Sequence, residues 1–270
     1  MSNSFLYQTT RVFGSSIFKN KFNPKIINKE EIPNDGPLIL CGNHMNALDP
    51  FILMVSTKRT IHFLLDRDSY DENSKSLLKM MGMASTGDVD VDEAMISYLK
   101  KNGCICFFPE EERNFITKEE LHYLYDLKQC NVPFDEFEKL IDSHTLLSQI
   151  KYLEKLYNEG IINIGELKLG ILHAKSTLLE LVEKEVISKE DYDDSLILPF
   201  STKAVKIAKQ TGAFVVPFAV NGDYAKLSDN LVIRFGKGFI VKPNDDIEEV
   251  NNFLRDNVKK MVKENTRIKF

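Results

Sequence analysis

A chain of 270 residues is long enough for one large domain or two small ones, and 43% hydrophobic with 28% charged residues is a globular composition. That excludes a disordered chain, and no run approaches the ~18 apolar residues a spanning helix needs. The net charge of −5 is unevenly spread: residues 114–196 hold 17 acids against 9 lysines, a net −8, which leaves the remainder at +3.

Residues 1–24 are read as an amphipathic N-terminal segment. Phe5, Leu6, Val12, Phe13, Ile17 and Phe18 are interleaved with Arg11, Lys19 and Lys21, and no acid occurs before Glu30. Such a segment suits an anionic membrane surface, or equally a first helix packed on a core. It lacks the apolar stretch and cleavage site of a secretory signal. A cytoplasmic protein in peripheral contact with a membrane surface is the expectation, with no nucleic-acid partner. The four cysteines (Cys41, Cys104, Cys106, Cys130) have no metal-ligand spacing and read as reduced, mostly buried thiols.

Lys25–Asn28 reads as a short strand and Asn34-Asp35-Gly36-Pro37 as a turn. Leu38–Cys41 is an apolar run that predicts a buried strand. After the short loop Asn43–Leu48, Asp49-Pro50 is a helix-start signal, with Asp49 expected to cap the first free N–H groups. His44 therefore lies at the carboxyl end of a strand, where open α/β sheets place their chemistry. Thr60–Leu65 predicts a strand, Glu72–Met81 a helix and Gly82–Asp92 an irregular stretch. Its Asp88, Asp90 and Asp92 alternate with valine, but the glycine and terminal glutamate of a calcium loop are out of place, so no metal is expected. Glu93–Lys101 predicts a helix ended by Asn102-Gly103, and Cys104–Phe108 a strand ending at Pro109-Glu110-Glu111-Glu112-Arg113.

Residues 114–196 change to a charged, helical pattern with weak self-similarity. Leu153–Ile162 resembles Leu178–Ile187, with a looser copy from Leu124-Tyr-Asp-Leu127 to Val132-Pro133. Each reads as a helix, a tight break and a new helix start, and Ser188-Lys-Glu-Asp191 predicts a capping box. The α/β pattern resumes with a basic-faced helix over Ser201–Gln210 and a strand over Ala213–Val220. Pro217 is best tolerated there at an edge or a bulge. Leu231–Phe235 and Phe239–Val241 flank Gly236-Lys237-Gly238 and predict a hairpin, and Asp245–Glu264 a last amphipathic helix. The expected fold is α/β, a mixed central sheet flanked by helices over 25–113 and 197–270, with an all-helical insertion over 114–196.

Four blocks in order resemble the glycerolipid acyltransferase family, the PlsC-like 1-acylglycerol-3-phosphate acyltransferases. Gly36-Pro37-Leu-Ile-Leu leads into Asn43-His44 and the H-x-x-x-x-D spacing that ends at Asp49-Pro50. Phe108-Pro109-Glu110 with Arg113 resembles the FPEGTR block. Pro199-Phe200 with Lys203-Ala204 resembles the F-K-x-G-A helix start, and Val216–Val220 the VPVAI strand. Two departures stand out: Glu111 and Glu112 occupy the places of the block's Gly and Thr, and residues 80–99 hold no arginine or lysine where the family usually has an arginine.

The resemblance implies acyl transfer from a thioester, acyl-CoA or acyl carrier protein as cosubstrate with no further cofactor. The acceptor would be a hydroxyl of lysophosphatidic acid, a related lysophospholipid or glycerol phosphate. His44 is the candidate general base, histidine being the side-chain type suited to proton transfer near neutral pH, and Asp49 the carboxylate that orients it. Glu110 and Arg113 are the candidate substrate-binding pair, Arg113 as a bidentate phosphate donor. Two other readings remain: a thioesterase with Cys41 as nucleophile, and a non-catalytic lipid-binding member whose helical insertion binds a protein. His62, His122, His144 and His173 have no motif around them and read as structural or exposed.

Overall fold

The computed structural model describes residues 4–65, 83–85, 91–110, 112–128, 132–142, 145–222, 224 and 230–266. The helix expected over Glu72–Met81 lies outside these, as do Asp88, Asp90, Glu111, Cys130 and His144. The chain forms two compact units, residues 1–112 with 199–270, and residues 113–198.

In chain order the first unit begins with α1 (Ser4–Phe22), β1 (Lys25–Ile27), β2 (Leu38–Gly42), α2 (Asp49–Ser56), β3 (Ile61–Leu65), β4 (Met83–Ser85), α3 (Val91–Leu99) and β5 (Cys104–Phe107). The second unit follows with α4 (Lys118–Lys128), α5 (Phe134–Leu140), α6 (Leu147–Asn158), α7 (Ile164–Leu172), α8 (Ala174–Glu183) and α9 (Lys189–Asp194). The first unit then closes with α10 (Lys203–Thr211), β6 (Phe214–Asn221), β7 (Val232–Phe235), β8 (Phe239–Ile240) and α11 (Ile247–Asn265).

The strands form one sheet in the order β1-β7-β6-β2-β5-β3-β4, with β8 also beside β6. β2 is central and parallel to both neighbours: Cys41 pairs with Phe107 on one side and Pro217 on the other. β6 and β7 are antiparallel, so the sheet is mixed. The fold is therefore a central mixed sheet flanked by helices. Leu38, Ile39, Leu40 and Cys41 are all wholly buried, because both faces of β2 are covered. Leu38 and Leu40 join a cluster with Phe18 and Phe22 of α1 and Ile52 and Leu53 of α2. Ile39 and Cys41 alternate to the face against which α10 and α11 pack.

The last strands depart from the expected hairpin. β7 and β8 do not pair with each other. Both lie along β6, where Phe218 faces Phe235 and Val215 faces Phe239. Residues 236–238 thus oppose 216–217, three against two, which is a bulge. Gly236 N–H donates to the Pro217 carbonyl at 2.8 Å. The missing N–H of Pro217 therefore faces the bulge, not the β2 ladder, and this is how a proline sits inside a central strand.

At the amino ends of β2 and β5, Arg59 donates to four main-chain carbonyls: Pro33, Asp35, Gly36 and Asn102, at 2.6–3.3 Å. His62 on β3 packs against Tyr98 of α3 with centroids 3.8 Å apart and ring planes tilted by 54°, and burial pushes the His62 imidazole down to about 4.

The second unit repeats one local device. At the α6–α7 break, Gly160 has φ +72°, and the Ile161 and Ile162 N–H groups donate to the Leu156 carbonyl at 2.9 and 3.4 Å. Twenty-five residues on, at the α8–α9 break, Glu185 has φ +56°, and Val186 and Ile187 donate to Leu181 at the same two distances. Capping boxes Asn163–Glu166 and Ser188–Asp191 then start the next helix. Ile162 and Ile187 point into the unit's core, while Ile161 and Val186 stay exposed. In the third copy α4 ends at Lys128 and α5 begins after Pro133.

Candidate active site

β2, β5 and β6 run parallel and in register, so their carboxyl ends meet at one edge of the sheet. Gly42 ends β2 there. A Cβ on it would lie 2.2 Å from the Phe218 carbonyl oxygen and 2.6 Å from the Phe218 ring, so this approach of β2 to β6 admits only glycine. Asn43 continues the pairing with its side chain. Its Nδ2 donates to the Val220 carbonyl at 2.9 Å, and its Oδ1 accepts the Val220 N–H at 2.8 Å. The amide satisfies both main-chain groups of Val220 and lets the backbone turn away at once into the His44 loop.

His44 Nδ1 lies 2.8 Å from Asp49 Oδ2. The same carboxylate oxygen accepts the N–H groups of Met45 at 2.7 Å and Asn46 at 2.8 Å. Asp49 therefore does not cap its helix as expected: α2 has no side-chain cap, and Asp49 is its first residue. The carboxylate reaches back over the loop instead of forward to the helix N–H groups, because the loop amides and the imidazole converge on it. A carboxylate only accepts, so Nδ1 carries a proton, and in the neutral ring the lone pair is on Nε2. Asp49 is 0% exposed, whereas the His44 side chain is 19% exposed. The charge is thus shielded while the ring remains open to a small reacting group.

Two residues just past β5 complete the setting of His44. Phe108 stacks on the imidazole, with centroids 4.1 Å apart and planes 21° from parallel. Phe108 is braced edge-on against Phe218 of β6. Glu110 is buried, and its Oε2 accepts the His44 main-chain N–H at 2.5 Å. On the other side, Tyr224 donates its hydroxyl to Asp49 Oδ1 at 2.6 Å. Burial, and then the Asp49 charge, raise the Tyr224 phenol well above its usual value, so it stays protonated and donating. Sequence reading missed Tyr224 and the ring-supporting role of Phe108. Tyr224 follows the end of β6 by three residues, and only knowledge that β6 adjoins β2 brings it to Asp49.

The structure thus brings together His44, Asp49 and Glu110. Arg113 opens the second unit, where its guanidinium lies over the Phe115 ring, 5.1 Å from the centroid. Cys41 is wholly buried, and burial pushes its thiol far up, so it lacks the exposed thiolate that the thioesterase reading requires. Among the described residues, no three or more His, Cys, Asp or Glu side chains are grouped to hold a metal ion.

No protein-family model matches this sequence, and no curated protein matches it. Among solved structures, the chain is similar to the crystal structure of the 1-acyl-sn-glycerophosphate (LPA) acyltransferase PlsC from Thermotoga maritima. The TM-score is 0.57 at 14% identity, covering 98% of this chain and 81% of that one. At that identity the likeness is one of fold.

Proposed function

We propose that this chain is a glycerolipid acyltransferase that moves a fatty acyl group from a thioester, acyl-CoA or acyl carrier protein, to a hydroxyl of lysophosphatidic acid or a related lysophospholipid. The observation that carries this reading is the 2.8 Å contact between a partly open His44 and a wholly buried Asp49. The fold shared with an LPA acyltransferase supports it.

In this mechanism the acceptor hydroxyl attacks the thioester carbonyl while His44 Nε2 takes its proton. Asp49 holds the ring in the Nδ1–H tautomer and stabilises the imidazolium. The tetrahedral adduct collapses by breaking the carbon–sulfur bond, and the imidazolium returns its proton to the departing thiolate. The ester and the free thiol balance the two reactants, with no acyl-enzyme. Glu110 acts here by fixing the His44 main chain, and Arg113 is assigned to the acceptor phosphate. Contact with a membrane surface would fall to α1, where Lys19 and Lys21 lie in the last turn and Ile17 is 68% exposed. Among the described residues, no helix is long and apolar enough to cross a membrane.

The test is a donor-by-acceptor transfer screen read by mass spectrometry. Wild type is expected to acylate a lysophospholipid, and His44→Ala to lose about 10²–10⁴ of that rate. Undiminished transfer by His44→Ala, or no transfer from any thioester, rejects the reading.

A further inference from the structure

The Asp49 carboxylate is held from two sides. Oδ2 is saturated by its own loop, through the Met45 and Asn46 N–H groups and His44 Nδ1. Oδ1 is held by the Tyr224 hydroxyl, from 175 positions away. That phenol has its own seat. Its ring meets Phe18 edge-on at 6.1 Å and Phe22 at 5.7 Å, and those two rings are 4.8 Å apart on successive turns of α1. Phe18 also stacks on Phe51 of α2, one residue beyond Pro50. A chain of packed groups therefore runs from α1 through Tyr224 and Asp49 to the imidazole.

We propose that Tyr224 is a positioning residue of the His44–Asp49 pair, and that the aromatic seat on α1 makes the N-terminal helix part of the support of the site. Its role in turnover rests on the acyltransferase reading above; its coupling to His44 does not. A buried carboxylate with one oxygen free to rotate off axis points its other oxygen less well at Nδ1. The tyrosine fixes that rotation with a short hydrogen bond to a charged acceptor, the stronger kind of neutral donor contact. It also spreads the carboxylate charge over a second donor, which sets how strongly Asp49 pulls on the Nδ1 proton. Because Phe18 and Phe22 pack against the ring itself, Tyr224→Phe removes the donor and leaves those ring contacts. A purely structural tyrosine would not notice that change.

The experiment compares wild type, Tyr224→Phe and Phe22→Leu in two readouts. The first is the proton resonance of His44 Nδ1–H, assigned by its absence in His44→Gln, which needs neither substrate nor turnover. The second is the split between kcat and KM for thioester-dependent transfer. Tyr224→Phe is expected to move the His44 resonance and to lower kcat about tenfold with KM unchanged, because the support acts on the barrier and touches no substrate. Phe22→Leu, which keeps the hydroxyl but loosens its seat, is expected to move the same resonance by less. If His44 in a folded Tyr224→Phe resonates as in wild type, the proposal is overturned. It is equally overturned if the variant's loss is confined to KM. A wild type without transfer activity removes the acyltransferase reading alone, since the resonance still reports the coupling.

Discussion

In the helical unit, the α6–α7 and α8–α9 breaks are closed by hydrogen bonds between residues six or fewer apart, such as Ile162 to Leu156 and Ile187 to Leu181. At the carboxyl edge of the sheet, Asn43 is tied to Val220, His44 to Glu110 and Asp49 to Tyr224, across separations of 177, 66 and 175. At these two breaks the helical unit repeats one local solution, so each of their hydrogen bonds depends on a handful of neighbours. The sheet edge assembles single atoms from three strands, so it exists only when strand order and register are already correct. A local fault should therefore remain small in the first region and become large in the second.

The hardest test of that contrast is Gly42→Ala. One methyl group would collide with both the backbone and the ring of Phe218, and relief requires β2 and β6 to part. We expect a loss of about 3 kcal/mol in urea or thermal unfolding, at the upper end for overpacking, together with loss of the site. A melt indistinguishable from wild type would show that the edge yields more easily than its register suggests.

Acid sharpens the contrast next. The folded pKa of His62 is about 4, against 6.5 for the free side chain, so between those values the unfolded chain binds the proton and the folded one does not. Stability of the first unit should fall as pH drops from 6.5 to 4, by ~1–2 kcal/mol once solvent screening is allowed for, and then level off. His62→Phe, which keeps a ring against Tyr98, should flatten that slope in pH-dependent denaturation. In the second unit Asp191 is held below its ordinary 3.8 by the Ser188 hydroxyl and N–H. Its contribution is present above that value and is lost only as pH falls below it, so the two units should weaken in different windows.

The smallest effects belong to the repeats. Gly160 and Glu185 share the left-handed conformation, which a side chain disfavours. Gly160→Ala should destabilise by about 1 kcal/mol, and Glu185→Gly should stabilise by about 0.5–1 kcal/mol. Changes of opposite sign in the second unit's unfolding midpoint, with the first unit unmoved, are the expected pattern.

What could be read from the residues follows the same division. Leu38–Cys41 announced a strand because an apolar run begins at Gly36-Pro37, and His44 and Asp49 stood out because their spacing is local. The repeat at Leu153 and Leu178 was visible because its hydrogen bonds lie within the repeat. Two local signals misled. Asp-Pro marks a helix start whether the carboxylate reaches forward or back, and here the loop amides and the imidazole draw it back. Gly236-Lys237-Gly238 reads as a turn, yet the absent N–H of Pro217 makes it a bulge. Gly238 is needed there because a Cβ would lie 2.2 Å from the Phe214 ring. Tyr224 left no local signal at all, since its partner is defined by strand order.

The clamp at the opposite end of the sheet bears on how such a chain can change over time. Arg59 grips Pro33, Asp35, Gly36 and Asn102 by their main-chain oxygens alone. It thereby recognises a path of the backbone and not the identity of the residues along it. Side chains on those loops are free to drift while the guanidinium stays, and a lysine, with one compact ammonium, could not span four carbonyls. A fastening of this kind is indifferent to sequence, and it is one physical means by which an arrangement of strands outlasts most of the residues that first encoded it.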